Sequence, residues 1–298
     1  MQNSNTYLLV TIAAFFWGAN FLLGGYVIHD LPPLWAAALR FLLGAALMFA
    51  IVGVKRERML PALRQHGATY ALLGVVGIVG FNLFFFYALR YTSANNAALI
   101  MATNPLLTTL LAAAMLGERV SLRHWLALPI ALAGVAVVVT HGKLHDLLAM
   151  QLSHGDVLML CADIFWALYN VLCRRYMPPA SPLVNTTGIM AVGALVLFAV
   201  ALGSGAHLDL GALGMKAGLS LTIMAAGGTV LAYLFWSIGI AKFGAARTAI
   251  FLNLVPVFAM LLGVLVDDIP TAAQLIGGLL VLAGVTVSML PSRKAAVV

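Results

Sequence analysis

The sequence predicts an all-α polytopic membrane protein, with ten transmembrane helices arranged as two inverted five-helix repeats around a central cavity. Three observations predict it. Of the 298 residues, 63% are hydrophobic and 8% charged, with a mean hydropathy of +1.05, whereas a soluble domain carries about a quarter charged residues. Apolar runs of about 20 residues, enough to cross a bilayer, recur at roughly 6–28, 34–54, 67–89, 95–116, 122–140, 154–173, 182–204, 215–241, 246–266 and 271–291. The second half of the chain also repeats motifs of the first.

The first span carries FFW at 15–17, and Trp17 and Asn20 share one helical face. Its leading MQNSNTYLLV has no basic n-region and its apolar run outlasts a signal-peptide core, so the span is expected to remain in the mature protein. The second span holds Arg40 about seven residues inside. In the third, GVVGIVG (74–80) has small residues at helix-packing spacing. FNLFFFY follows, where Asn82 marks the protein-facing side and nominates Phe81 and Phe85 as inward rings. The fourth is interrupted by Asn104 and Pro105, one turn after Met101. Proline frees the i−4 carbonyl and breaks the ladder, leaving either a binding group or a hinge. The fifth reads LALPIALAGVAVV.

The longest connection, around 141–156, joins two five-span units, 1–148 and 149–298. The sixth span holds IFW at 164–166, with Trp166, Tyr169 and Asn170 at i, i+3 and i+4 and Asp163 near mid-membrane. Cys161 and Cys173 lie about 18 Å apart along the helix axis. They cannot bridge each other, and no disulfide framework or metal site is inferred from them. The seventh span follows Arg174 and Arg175. The eighth has Gly227 and Gly228, then Tyr233 and Trp236; the ninth has Asn253 one turn before Pro256; the tenth reads LIGGLLVLAGVTV.

Charge supplies orientation. Twelve Lys and Arg residues fall in alternate connections and the tail (Lys55, Arg56, Arg58, Arg64, Arg119, Arg123, Arg174, Arg175, Lys242, Arg247, Arg293 and Lys294). Arg90, Lys143 and Lys216 fall on the opposite side. The positive-inside bias places both termini in the cytoplasm. It also explains the net charge of +7 without a nucleic-acid partner. YALRYTSANNAALIMATNP (87–105) aligns with IGIAKFGAARTAIFLNLVP (238–256), with Ala94 on Ala245 and Pro105 on Pro256. Gly134 falls on Gly284, and FFW on IFW. Five spans per copy is odd, so the second copy enters upside down. That accounts for the opposite charges of two matching corners, GERVSLR after the fourth span and DDIPT after the ninth.

The paired five-span halves, the FFW-type starts, ALRYTSA and LGERVSL (116–122) resemble EamA-domain proteins of the drug/metabolite transporter superfamily, across essentially the whole chain. Within it the chain looks similar to YddG-type amino-acid exporters of bacteria. The resemblance implies a ten-helix basket with a central cavity, metabolite export, and a bacterial-type inner membrane. In the second copy the corner Glu is replaced by Asp267 and Asp268.

Polar groups inside spans are costly and often functional. Trp17 with Asn20, and Trp166 with Tyr169 and Asn170, offer an aromatic and an amide on two matching helices; interhelical packing is the competing explanation. With Phe81, Asn82, Phe85, Met101, Asn104, Asp163, Tyr233, Trp236 and Asn253 they form the expected substrate-binding set, with Pro105 and Pro256 as kinks or hinges. Rings and amides alone carry no net charge, which suits zwitterions. Asp163 could carry a proton, pair with a substrate amine, or be a structural acid satisfied by a neighbouring helix, with Arg40 a candidate partner. No HExxH, GxSxG or P-loop occurs, so an enzyme is disfavoured and no cofactor is expected. The reading is alternating-access export of neutral, aromatic or apolar amino acids and related metabolites. The partners are then a small-molecule substrate and the lipid bilayer, and a monomer is compatible with the sequence. A cationic-drug exporter, with Asp163 as its acid, is the alternative. A nucleotide-sugar or phosphate-ester carrier would need more intramembrane bases than Arg40.

Overall fold

The apolar runs fold as helices. The computed structural model describes residues 2–117, 122–139, 142, 153–243 and 250–289. Helix α1 spans Gln2–Asp30 and α2 spans Pro33–Lys55. Proline at the first helical position suits a helix start, and Arg56 ends α2 in the left-handed conformation, φ 54°. Helix α3, Met59–Ala88, starts eight residues before the expected 67. An amphipathic turn containing Arg64 precedes its apolar part, and the two meet at the non-helical His66. Ser93 caps α4, Ala94–Leu116, by accepting the Asn96 N–H. Then come α5, Leu122–Val139; α6, His154–Tyr176, capped by Ser153; and α7, Pro182–Gly203, capped by Ser181. Helix α8 covers 215–243, α9 covers 250–264 and α10 is Ala272–Met289.

Among the described residues, seven helices are long and apolar enough to cross a membrane: α1 to α4 and α6 to α8. Shorter apolar helices lie at Phe251–Val264 and Ala272–Gly284. The described residues hold no strand. Large apolar side chains such as Leu8, Val54, Leu195, Leu219, Leu261 and Leu279 face outward. A multi-pass membrane protein presents such a surface to lipid.

Two features were not readable from periodicity. Residues Gly74–Gly80 of α3 and Met224–Leu231 of α8 are wound as π-helix, a form that usually occurs as a single turn near functional sites. Small residues there do allow close approach, as expected. A Cβ on Gly77 would run into the Tyr169 ring, and one on Gly228 into the Asn20 amide.

The helices pair crosswise between the halves. Helix α1 packs on α9 and on the 232–243 part of α8. Correspondingly, α6 packs on the 104–116 part of α4 and on the 81–88 part of α3. The π turn of α3 lies on α7 and that of α8 on α2; α2 pairs with α7, and α5 with α10. Exchanging the first five helices for the last five maps each pairing onto another or onto itself.

Two corners end alike. Gly117 stops α4 at φ 69°, and Asp267 follows α9 at φ 63°. The Asp268 N–H donates to Gly263 O at 3.0 Å, and the Asn95 amide donates to Asp268 O at 3.4 Å. Several charge and repeat assignments lie outside the described residues: Glu118–Ser121, the side chains of Arg123 and His124, Lys143 and most of the 141–156 connection, Ala245, Arg247, Arg293 and Lys294.

Candidate functional site

Where the two sets of crosswise pairs meet, near the middle of α1, the chain leaves a cavity of about 50 Å³. One water needs at least about 10–15 Å³ measured this way, so the cavity holds a few waters. Pockets for drug-sized ligands measure about 300–1,000 Å³, so this cavity is several times smaller than such a pocket.

Most of the lining is aromatic. Helix α1 contributes Trp17, Asn20 and Phe21, α3 contributes Phe81 and Phe85, α4 Met101, α6 Trp166, and α8 Tyr233. Leu252 and Val255 of α9 close one side, and Arg40 reaches in from α2. Trp17 stands edge-on to Trp166 at 6.0 Å and to Tyr233 at 5.8 Å between ring centroids. Phe81 lies 5.4 Å from Trp166 and 5.5 Å from Phe85. Such offset and edge-to-face contacts hold rings in fixed orientations. The Trp17 Nε1–H donates to Gly228 O in the π turn of α8, at 3.1 Å. The Trp166 Nε1 and Asn20 Oδ1 atoms are buried without a hydrogen-bond partner, which leaves one donor and one acceptor for an occupant.

The remaining expected residues fall into a supporting layer. Trp236 packs on Trp17 at 4.9 Å and Tyr169 on Trp166 at 5.1 Å. The Asn82 Oδ1 accepts from Arg40 Nη1 at 3.2 Å, while its Nδ2 donates to Ile78 O at 2.8 Å. Asn253 lies elsewhere, in a cleft with Phe251, Leu254, Val257, Leu282 and Thr286 between α9 and α10. Pro105 restarts α4 after the break at Ala102 and Thr103. Pro256 stands in the first turn after the 3₁₀ stretch Ile250–Asn253. Both prolines therefore mark real discontinuities.

Asp163 is fully buried and is not among the residues lining the cavity. Its Oδ1 accepts from Asn104 Nδ2 at 2.7 Å and its Oδ2 from Thr103 Oγ1 at 2.9 Å. Asn170 Nδ2 donates to Asn104 Oδ1 at 3.2 Å. The network ties α6 to the break in α4. Asp163 and Arg40 are not partners, contrary to the pairing considered from sequence. Arg40 is held instead by Thr229 Oγ1, at 2.9 Å from Nε, and by Asn82. The lining is therefore not free of charged groups, as rings and amides alone would have made it. Spacing within one helix could not show this, because the contacts join α2 to α3 and α8. Phe21, Leu252 and Val255 were also missed: apolar residues in an apolar span give no signal of which face turns inward. Among the described residues, no three His, Cys, Asp or Glu side chains gather as a metal site, and both cysteines are free.

A multi-pass helical protein whose two matching halves enclose a small internal cavity belongs, as a class, with the membrane transporters. The chain is a member of the EamA-like transporter family, whose model matches it twice, over residues 4–140 and 153–290. It is 37% identical to "Uncharacterized transporter YyaM" of Bacillus subtilis over 289 residues, covering 96% of this chain and 93% of that one. It is 28% identical to the "Probable amino-acid metabolite efflux pump" of Salmonella typhimurium, covering 96% of this chain and 94% of the relative. The Escherichia coli protein of the same description is 27% identical, with 96% and 95% covered. A solved crystal structure superposes with a TM-score of 0.71 at 25% identity, over 98% of this chain and 99% of the other.

Proposed function

We propose that this transporter exports small amphipathic metabolites, neutral or aromatic amino acids foremost, by alternating access. Its units are residues 1–148 and 149–298, read as two inverted repeats of five spans each. The observation that carries the reading is the aromatic cavity, to which both units contribute: Trp17, Phe81 and Met101 from the first, Trp166 and Tyr233 from the second. The crosswise pairing of helices supports it, since inverted repeats that rock against each other carry their site at the interface. Relatives described as amino-acid metabolite efflux pumps support the substrate class. The membrane is the bacterial-type inner membrane with both termini cytoplasmic, and the working unit is a monomer. The substrate-binding group comprises the lining residues with Asn82, Tyr169 and Trp236 behind them. Asn104, Asp163 and Asn170 link that group to the break at Pro105.

A cationic-drug exporter remains the second reading, because Asp163 is a buried acid beside the site. Arg40 in the lining weighs against it. Uptake of a labelled panel into proteoliposomes tests the assignment: aromatic and aliphatic amino acids, a nucleotide sugar and a quaternary ammonium dye. Amino-acid flux alone is expected. Dye flux alone would move the protein to the second reading, and nucleotide-sugar flux would discard both.

A further inference from the structure

We propose that Arg40 is the seat of a substrate carboxylate, and that the transported class is monocarboxylates with an apolar or aromatic body, with or without an amino group. The inference deepens the exporter reading above and rests on it for the location of the site.

Arg40 is 3% exposed, yet its side chain forms part of the cavity wall. A guanidinium has five N–H donors in a rigid fork. One, on Nε, goes to Thr229 Oγ1 and one, on Nη1, to Asn82 Oδ1. Both partners are neutral. The other three N–H groups have no acceptor among the described residues. No ion pair joins Arg40 to a carboxylate among the described residues. Asp163 is committed to Thr103 and Asn104. Its guanidinium also lies 5.1 Å from the centre of the Phe41 ring, another neutral contact. A buried cation without a counter-anion is expensive, and a carboxylate accepting two parallel N–H bonds is the anion that fits this fork.

The rest of the wall sorts the substrate further. Trp17, Trp166, Phe81 and Phe85 take an apolar body. The lining contains no acid, so no side-chain carboxylate is placed to select an ammonium. One arginine in a small, ring-lined cavity suits a single negative charge better than a phosphate ester. Thr229 and Asn82 act as positioning residues, because they fix the fork's direction from α8 and α3.

The test titrates intrinsic tryptophan emission of the detergent-purified protein with L-phenylalanine, 3-phenylpropionate and phenylalaninamide. Uptake of labelled phenylalanine and 3-phenylpropionate into proteoliposomes is measured in parallel. Phenylalanine and 3-phenylpropionate are expected to bind comparably, and the amide at least about tenfold more weakly, as for loss of a charged hydrogen bond. Arg40→Gln should remove that discrimination, while Arg40→Lys, which keeps charge without the fork, should retain part of it. If Arg40→Gln does not fold, the wild-type ranking decides alone. Amide binding as tight as acid binding, or binding of the zwitterion only, would overturn the proposal. Phenylalanine flux with no preference for the carboxylate would sink the Arg40 assignment and leave the exporter reading intact. Binding and flux of 3-phenylpropionate without phenylalanine flux would keep Arg40 and discard amino acids as the cargo. Binding of none of the three would discard both.

Discussion

Trp17 and Trp166 occupy matching positions in the two halves, yet their polar atoms are used differently. The Trp17 N–H is spent on Gly228 O, whereas the Trp166 N–H is buried and unpaired. Trp17→Phe should therefore cost about 1 kcal/mol of stability through the lost hydrogen bond. Trp166→Phe should leave the melting temperature nearly unchanged and act on substrate affinity. Thermal melts beside ligand titration of the two variants check this, and equal loss of stability in both would contradict it. Trp17→Ala and Trp166→Ala should each weaken transport without preventing membrane insertion; normal flux in both would end the aromatic-site reading. Asp163 accepts two hydrogen bonds from α4, and an asparagine can accept at only one of those positions. Asp163→Asn should cost about 1–3 kcal/mol through an unsatisfied donor. A double-mutant cycle with Asn104→Ala should show coupling above about 0.5 kcal/mol. If transport is proton-coupled, the same Asp163→Asn variant should also lose its pH dependence. An unchanged pH profile would leave the acid a structural tie.

At the scale of elements, the two π turns are the least ordinary parts of the fold. Each presents a glycine to the leading helix of the other half, Gly77 to Tyr169 and Gly228 to Asn20. Gly77→Val and Gly228→Val should disrupt these crossings and reduce folded yield or flux, while Gly53→Val, at a position with open space around it, should do neither. Flux and size-exclusion profiles of the three variants make the comparison. The matching corners also share a physical requirement. The chain turns left-handed at Gly117 and at Asp267, where most L residues pay about 1–2 kcal/mol and Gly or Asp is tolerated. Asp267→Ala should therefore lower thermal stability and Asp267→Gly should not.

At the scale of the molecule, the pairing rule of the helices and the position of the cavity belong together. A site shared by two crossed sets of helices changes shape when one set tilts against the other. The present cavity of about 50 Å³ is too small for an aromatic amino acid, so on the proposed function the helix crossings must move for the substrate to bind. If the second unit is inverted, Gly117→Cys and Asp268→Cys, introduced singly into a Cys161→Ala/Cys173→Ala background, should label from opposite faces of the membrane. Labelling of both from one face would remove the inverted arrangement and the alternating-access reading built on it.

Composition alone settled that the chain is a membrane protein, because 63% hydrophobic and 8% charged residues leave little polar surface for water. Internal repetition exposed the two halves, and the paired FFW and IFW starts led directly to Trp17 and Trp166. Prolines announced the breaks in α4 and α9, since a missing N–H and a fixed φ act locally. The tertiary structure decided what no single helix carries. Periodicity is nearly silent in a span that is apolar on every side, so the inward placing of Phe21, Leu252 and Val255 had no sequence signal. The π winding was equally hidden, because glycines permit close packing in either helical form. The fates of Arg40 and Asp163 were set by neighbours far away in the chain. Thr229 and Asn82 hold Arg40 at the cavity wall, while Thr103 and Asn104 bind Asp163 outside the lining. Hydrogen-bond partners 42 to 189 residues apart meet only when the helices pack.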